Sequence, residues 1–170
     1  MAFLETEGLE LRPAEEDDLE FLQELKNVPE IRRFHPELYP RNIHQIEDWF
    51  ESVNEQEGNI LLVIWRDGER AGEASLSKPE EGSSSAGTGI SVPPKFQGRG
   101  IATEAMEELV DYGFKQWNLH RVFAGVLEFN KASQKVWEKL GFEKEVVHRG
   151  FTYCEGSYQD LVEYGILESE

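Results

Sequence analysis

The sequence is short of cysteine, of positive charge and of long apolar runs, and each shortage excludes something. Cys154 is the only cysteine, so no internal disulfide can form and nothing hints at an oxidising compartment. The longest apolar run, Ile60 to Trp65, is far too short to span a bilayer. No basic stretch followed by an apolar one opens the chain, so no secretory signal is visible. A cytoplasmic protein without a membrane partner is the expectation. Lysine and arginine number 17 against 34 aspartates and glutamates, a formal net charge of −17. That argues against nucleic acid as a partner, because affinity for phosphate backbones needs clustered positive charge. It permits attraction of cationic substrates such as amine-rich peptides or polyamines. The acidic residues are spread along the whole chain, which favours a plainer reading: a solvated acidic surface of the halophilic kind. His35, His44, His120 and His148 show no ligand spacing with cysteines or carboxylates, so no metal is expected.

What the chain does have is length for one domain, 1–170, and enough apolar residues, 39%, for a core. Its centre of interest is the stretch from Ile90 to Phe142. Ile90-Ser91-Val92 reads as a strand that Pro93-Pro94 stops, since proline cannot donate to a ladder. Ile101, Ala105, Met106, Leu109, Val110 and Phe114 then recur at near-helical spacing, so a helix starts at about Gly100. Between the two lies Gln97-Gly98-Arg99-Gly100. A helix N-terminus presents unpaired N–H groups and partial positive charge, here from Ile101, Ala102 and Thr103. Glycines at 98 and 100 allow a bulky anion to approach the backbone, and Arg99 adds a guanidinium fork that suits phosphate oxygens. The elements together describe a diphosphate cradle; the glycines alone are equally compatible with an ordinary helix entry. Neither the dinucleotide fingerprint nor the phosphate loop ending in Gly-Lys-Ser/Thr is present.

Elsewhere the pattern alternates strands and helices. Leu9 to Arg12 reads as a strand ended by Pro13, followed by a helix carrying Leu19, Leu22 and Leu25 that stops near Asn27-Val28-Pro29. A proline-punctuated segment, Arg32 to Pro40, leads to a helix capped by Asn42 and running from Ile43 to about Gln56. Asn59–Trp65 and Arg70–Leu76 form a hairpin around Asp67-Gly68. A polar loop, Lys78 to Ser85, precedes the strand Gly87–Val92, and Arg121–Leu127 is the next strand. Asn130 caps a helix from Lys131 to Leu140, Gly141 suits its end, and Phe142–Thr152 with Tyr158–Leu167 read as a closing hairpin. An antiparallel start and finish with alternating elements argue for a mixed α/β domain.

Two blocks in this order resemble a known family. Gln97, Gly100 and Ala102 match the Gln/Arg-x-x-Gly-x-Gly/Ala loop of the GNAT acetyltransferase superfamily. Asn130-Lys131-Ala132-Ser133 followed by Glu138-Lys139-Leu140-Gly141-Phe142 matches its second block and looks most like the RimJ/RimL-type ribosomal-protein N-terminal acetyltransferases. The resemblance implies a GNAT acyl-CoA N-acyltransferase fold: a mostly antiparallel sheet with one splayed pair of central strands and flanking helices. It implies acetyl-CoA as cosubstrate, transfer to an amine, and often a homodimer. The acceptor it favours is a protein or peptide N-terminal α-amine; a small amine, polyamine or aminoglycoside, is the alternative. By the same resemblance Ile90 and Val92 bond the pantetheine arm, the loop from Gln97 to Thr103 holds the diphosphate, and Asn130 and Ser133 meet the cofactor. Phe34, His35, Tyr39 and Trp49 are implied to shape the acceptor pocket. Two positions depart from the pattern. Trp137 stands where many relatives carry a tyrosine acid, leaving Ser133 as the nearest donor to the leaving sulfur, and Gly87 stands where many carry a glutamate base. Glu73, Glu128 and His35 are the candidate bases, with an ordered water as a further route. These departures also keep open a catalytically silent acyl-CoA-binding module.

Overall fold

A computed structural model describes residues 1–35, 39–79 and 81–170. Eight strands make one sheet: β1 (Leu4–Glu5), β2 (Glu10–Pro13), β3 (Ile60–Arg66), β4 (Glu69–Leu76), β5 (Ser85–Ser91), β6 (Arg121–Leu127), β7 (Glu143–Cys154) and β8 (Ser157–Leu167). Five helices flank it: α1 (Leu19–Asn27), α2 (Pro29–Arg32), α3 (Ile43–Glu55), α4 (Ile101–Trp117) and α5 (Lys131–Lys139). The strand order is β1-β2-β3-β4-β5-β6-β8-β7. All neighbours are antiparallel except β5 and β6, which run parallel. The mixed, mostly antiparallel architecture is the one expected.

Local chemistry explains most of the boundaries. Asp67 and Gly68, and again Glu155 and Gly156, adopt positive φ at the two central positions of their turns. That handedness matches the twist of the strands they join. Asn42 caps α3 by accepting from the Gln45 amide at 3.0 Å, while the Gln45 side chain accepts from the Asn42 amide at 2.9 Å. Asn130 caps α5 through the Ser133 amide at 3.2 Å, and Gly141 takes positive φ just beyond that helix. Val28, held extended before Pro29, ends α1. The chain then turns once more into α2, a four-residue helix that the spacing did not announce.

The apolar run of β3 is buried on both faces. Leu61 and Val63 join Leu22, Ile46 and Phe50 from α1 and α3 in one cluster. Leu62 and Ile64 point the other way, into the main core with Ile101, Ala105, Met106 and Leu109 of α4. Period-two alternation therefore sorts a continuous hydrophobic segment into two layers. α4 and Trp137 of α5 cover one face of the sheet, and α1 and α3 cover the other.

The parallel contact is short. Ser85, Ala86 and Gly87 pair with Arg121, Val122 and Phe123, and no register continues beyond them. From Thr88 to Ser91, β5 stays paired to β4 on one side only. The two central strands therefore part after Gly87, as the resemblance implied, and open a wedge in the sheet.

Candidate active site

A cavity of about 1290 Å³ fills that wedge and runs between α1, α4 and α5. Ile90 and Val92 lie on its β5 wall, where backbone groups facing β6 have no strand partner. Gln97, Gly98, Gly100, Ile101, Ala102 and Thr103 form its loop wall. Gly98 and Gly100 have φ of +73° and +78°, and a Cβ built on either would meet nothing within 4 Å. They are thus glycine both for conformation and for open space. No side chain caps the N-terminus of α4, which faces this loop. Gln97 plays a structural part, since its side-chain amide donates to the Val92 carbonyl at 2.9 Å and ties the loop to the end of β5. Asn130 and Ser133 complete the wall from α5.

The other end of the cavity gathers charge and aromatic surface. Glu73 on β4 sits opposite Ser91 in the strand register and is 7% exposed. Its Oε1 accepts from Lys26 Nζ at 2.8 Å, while its Oε2 is buried without any hydrogen-bond partner. The Lys26 ammonium also lies 4.0 Å from the centroid of the Trp49 ring. His35 is beside them: burial pushes its imidazole below the ordinary value of 6.5, Lys26 adds to that, Glu73 opposes it, and Arg41 adds a smaller push downward. The imidazole is therefore neutral at pH 7 and has a lone pair to offer. Phe34 stacks near Phe129 at 5.2 Å between ring centroids, and Arg33 covers both rings while pairing with Glu155 at 2.7 Å. That pair links this cavity wall to the β7–β8 turn.

Of the expected site residues, Glu73, His35, Phe34, Trp49, Ser133 and the loop come together around one cavity; three others stand apart. Glu128 is exposed at the end of β6, and its amide donates to the Asp160 carbonyl, so its carboxylate is outside the cavity wall. Tyr39 is 80% exposed and away from the lining. Arg99 is exposed, with its guanidinium 5.7 Å from the Phe96 ring centroid.

The acetyltransferase (GNAT) domain family matches residues 8–143. This chain belongs to the GNAT acetyltransferases. The acetyltransferase is 28% identical over 165 residues to spermidine N(1)-acetyltransferase of Escherichia coli strain K12, covering 96% of this chain and 88% of that one. Spermidine N-acetyltransferase of Vibrio cholerae, solved with CoA and spermine, has a TM-score of 0.88 at 26% identity over 96% of this chain and 98% of its own. RimL, a ribosomal L7/L12 α-N-protein acetyltransferase solved with coenzyme A, shares the fold at a TM-score of 0.86 and 22% identity, covering 95% of each chain.

Acetyl-CoA is accordingly the cosubstrate of this N-acetyltransferase. Its residues fit that molecule: a glycine loop with room for a diphosphate, an uncapped helix N-terminus, and unpaired strand backbone beside them. Among the described residues, no cluster of His, Cys, Asp and Glu could hold a metal ion, and no helix is long and apolar enough to cross a membrane. The cavity is also lined by residues that the sequence did not single out. Lys131, Lys135 and Lys139 line the cavity from one face of α5 and concentrate positive charge in an otherwise acidic chain. Their four-residue spacing was the available signal. Lys26 carried none, because its partner Glu73 is 47 residues away.

Proposed function

We propose that the acceptor is a small polycationic amine of the polyamine class, in preference to the peptide N-terminal α-amine that the second motif block favours. The observation that carries this reading is Glu73: a carboxylate among the cavity-lining residues, with one oxygen held by Lys26 and the other buried without a partner. An ammonium group is the natural partner for that free oxygen. Similarity to spermidine acetyltransferases over nearly the whole length of both chains supports the same class. So does a net charge of −17, which draws cations toward the molecule.

The geometry supports the following roles, with the whole chain read as one acetyltransferase domain. Acetyl-CoA supplies an acetyl group activated as a thioester. Ile90 and Val92 hold its pantetheine arm by strand-like bonds, and the Val92 N–H or a neighbouring one faces the carbonyl oxygen as charge develops there. Gly98, Gly100 and the first amides of α4, Ile101 to Thr103, hold the diphosphate, with Arg99 reaching it from the surface. Asn130 caps α5 with its side-chain oxygen, which leaves its amide hydrogens for the same arm. Trp49 and Phe34 form the walls that orient the acceptor. Glu73 Oε2 takes the proton that must leave the ammonium before its nitrogen can attack. Lys26 assists, because a second positive charge beside the same carboxylate disfavours the protonated amine. His35 is the second base within reach of this cluster.

The test is acetyl transfer from acetyl-CoA to spermidine, spermine, an aminoglycoside and a pooled peptide library, read by mass spectrometry. Monoacetylated polyamine is the expected product, and Glu73→Gln should lower kcat by about 10²–10⁴ with acetyl-CoA affinity retained. Acetylated peptide N-termini without acetylated polyamine would overturn the acceptor assignment. Acetyl-CoA binding with no product from any amine would replace it with the silent module.

A further inference from the structure

Among the described residues, three polar side chains are buried: Asp18, Glu73 and Gln134. Asp18 accepts from the Glu15 amide at 2.9 Å and from Arg70 at 2.7 Å, and Glu73 belongs to the cavity. Gln134 has been given no part. It is 5% exposed near the start of α5, at a place where an apolar side chain would be buried at less cost. A buried amide is kept for its hydrogen bonds. Here the side-chain nitrogen donates to the Glu128 carbonyl, and the side-chain oxygen accepts from the Tyr164 hydroxyl at 3.3 Å. Tyr164 is fully buried on β8, and the same hydroxyl reaches Glu138 at 3.2 Å. Burial and that carboxylate push its phenol up to about 12, so it stays a donor.

The place of this bond in the helix entry gives it a use. Asn130 caps α5, so Phe129 is the residue before the cap, Glu128 the one before that, and Gln134 the fourth residue of the helix. Helix entries are often fixed by an apolar contact between the residue before the cap and the fourth helical residue. Gln134 supplies a bond to the backbone one step further back in place of that contact. The Phe129 ring packs elsewhere: its centroid lies 5.2 Å from that of Phe34, and the Arg33 guanidinium is 5.5 Å from it. All three of those residues line the cavity.

We propose that Gln134 is a positioning residue of the transfer: by holding the Glu128 carbonyl from inside the protein, it fixes the turn that aims Phe129 at the acceptor. Gln134 itself touches neither reactant. Its amide joins the end of β6, the start of α5 and the middle of β8, so the aromatic wall is braced by three elements at one point. Phe129 then completes, with Phe34, an acceptor wall whose two rings come from opposite ends of the chain's described elements. The inference rests on the acceptor walls proposed above and holds for whichever amine is acetylated.

The experiment is a double-mutant cycle on the full chain, read in kcat/KM for spermidine or for the amine of the panel above that is acetylated. Gln134→Met keeps the length of the side chain and loses both bonds. It should lower amine kcat/KM about tenfold, while KM for acetyl-CoA stays within about threefold because the loop and β5 hold that molecule. Phe129→Ala should lower the same ratio. In the Phe129→Ala background Gln134→Met should then cost less than about twofold, since the ring it aims is gone. Losses that multiply would overturn the proposal and leave Gln134 a structural residue only. An unchanged amine kcat/KM in Phe129→Ala would overturn the acceptor wall itself, and this inference with it. Tyr164→Phe is the milder variant should Gln134→Met fold poorly: it keeps the bond to Glu128 and should lose about threefold, again only while the ring is present. Amide hydrogen exchange gives a readout that needs no turnover. The Asn130 N–H closes the turn onto the Leu127 carbonyl at 2.8 Å, and Gln134→Met should speed its exchange at least about tenfold with α4 unaffected. Equal rates at Asn130 in the two proteins would also overturn the proposal.

Discussion

The Lys26–Glu73 pair makes a quantitative prediction about the free protein. The two side chains are 14% and 10% exposed, and their charged atoms are 2.8 Å apart. At an effective dielectric constant of about 20 the direct attraction is roughly 6 kcal/mol, most of it offset by taking both ions out of water. Removing one partner forfeits the attraction and leaves the desolvated charge behind. Lys26→Met should therefore destabilise the protein by about 3–5 kcal/mol, close to 10 °C in Tm for a chain of this size. Glu73→Gln should cost less, about 1–3 kcal/mol, because the amide oxygen still accepts from the ammonium. The double variant buries no charge and should lie within about 2 kcal/mol of the parent. The coupling free energy from urea denaturation of the four proteins is then at least about 2 kcal/mol. Additivity within about 0.5 kcal/mol would refute the pair, and with it the account of Glu73 as an oxygen held on one side and free on the other.

Two further predictions address the loop and the histidine. Gly100→Ala forces a Cβ into left-handed backbone where the space is otherwise open, so the free protein should lose only about 1–2 kcal/mol. Gly100→Glu adds bulk and like charge at the anion cradle and should abolish acetyl-CoA binding; calorimetry giving parental affinity would remove the loop assignment. For His35, the folded protein binds fewer protons than the unfolded chain between its lowered pKa and the ordinary 6.5. Stability from this group is therefore complete above about pH 6.5 and is lost as pH falls through that window. An NMR titration of the imidazole with a midpoint at or above 6.5 would contradict the burial argument.

What the sequence disclosed and what it hid follow from the range of the interactions. The loop, the start of α4 at Gly100, the Asp67-Gly68 turn and the caps Asn42 and Asn130 are set by residues a few positions apart, and the expected boundaries hold to within a few residues. β1 and α2 are too short for any periodicity to register. Glu128 is a candidate base by its place at the end of β6, but it is exposed and outside the cavity lining that its neighbours Leu127 and Phe129 share. The meetings of Lys26 with Glu73 and of Gln134 with Tyr164 depend on packing between distant elements. Neither leaves a signal within a few residues along the chain.

The order of the strands also dictates when the enzyme comes into being. β1 to β5 pair strictly with their neighbours in sequence, so this half of the sheet can form as soon as its own residues leave the ribosome. β6 pairs with its preceding neighbour, β5, only along a short parallel stretch. Its full-length antiparallel partner is β8, two strands later, and until Leu161–Leu167 is synthesised it holds to the rest by three residue pairs. The β6 side of the wedge is thus supported along its length only once β8 is in place. A chain lacking β8 would hold β6 to the rest of the sheet by those three pairs alone, leaving one wall of the cavity without its main support.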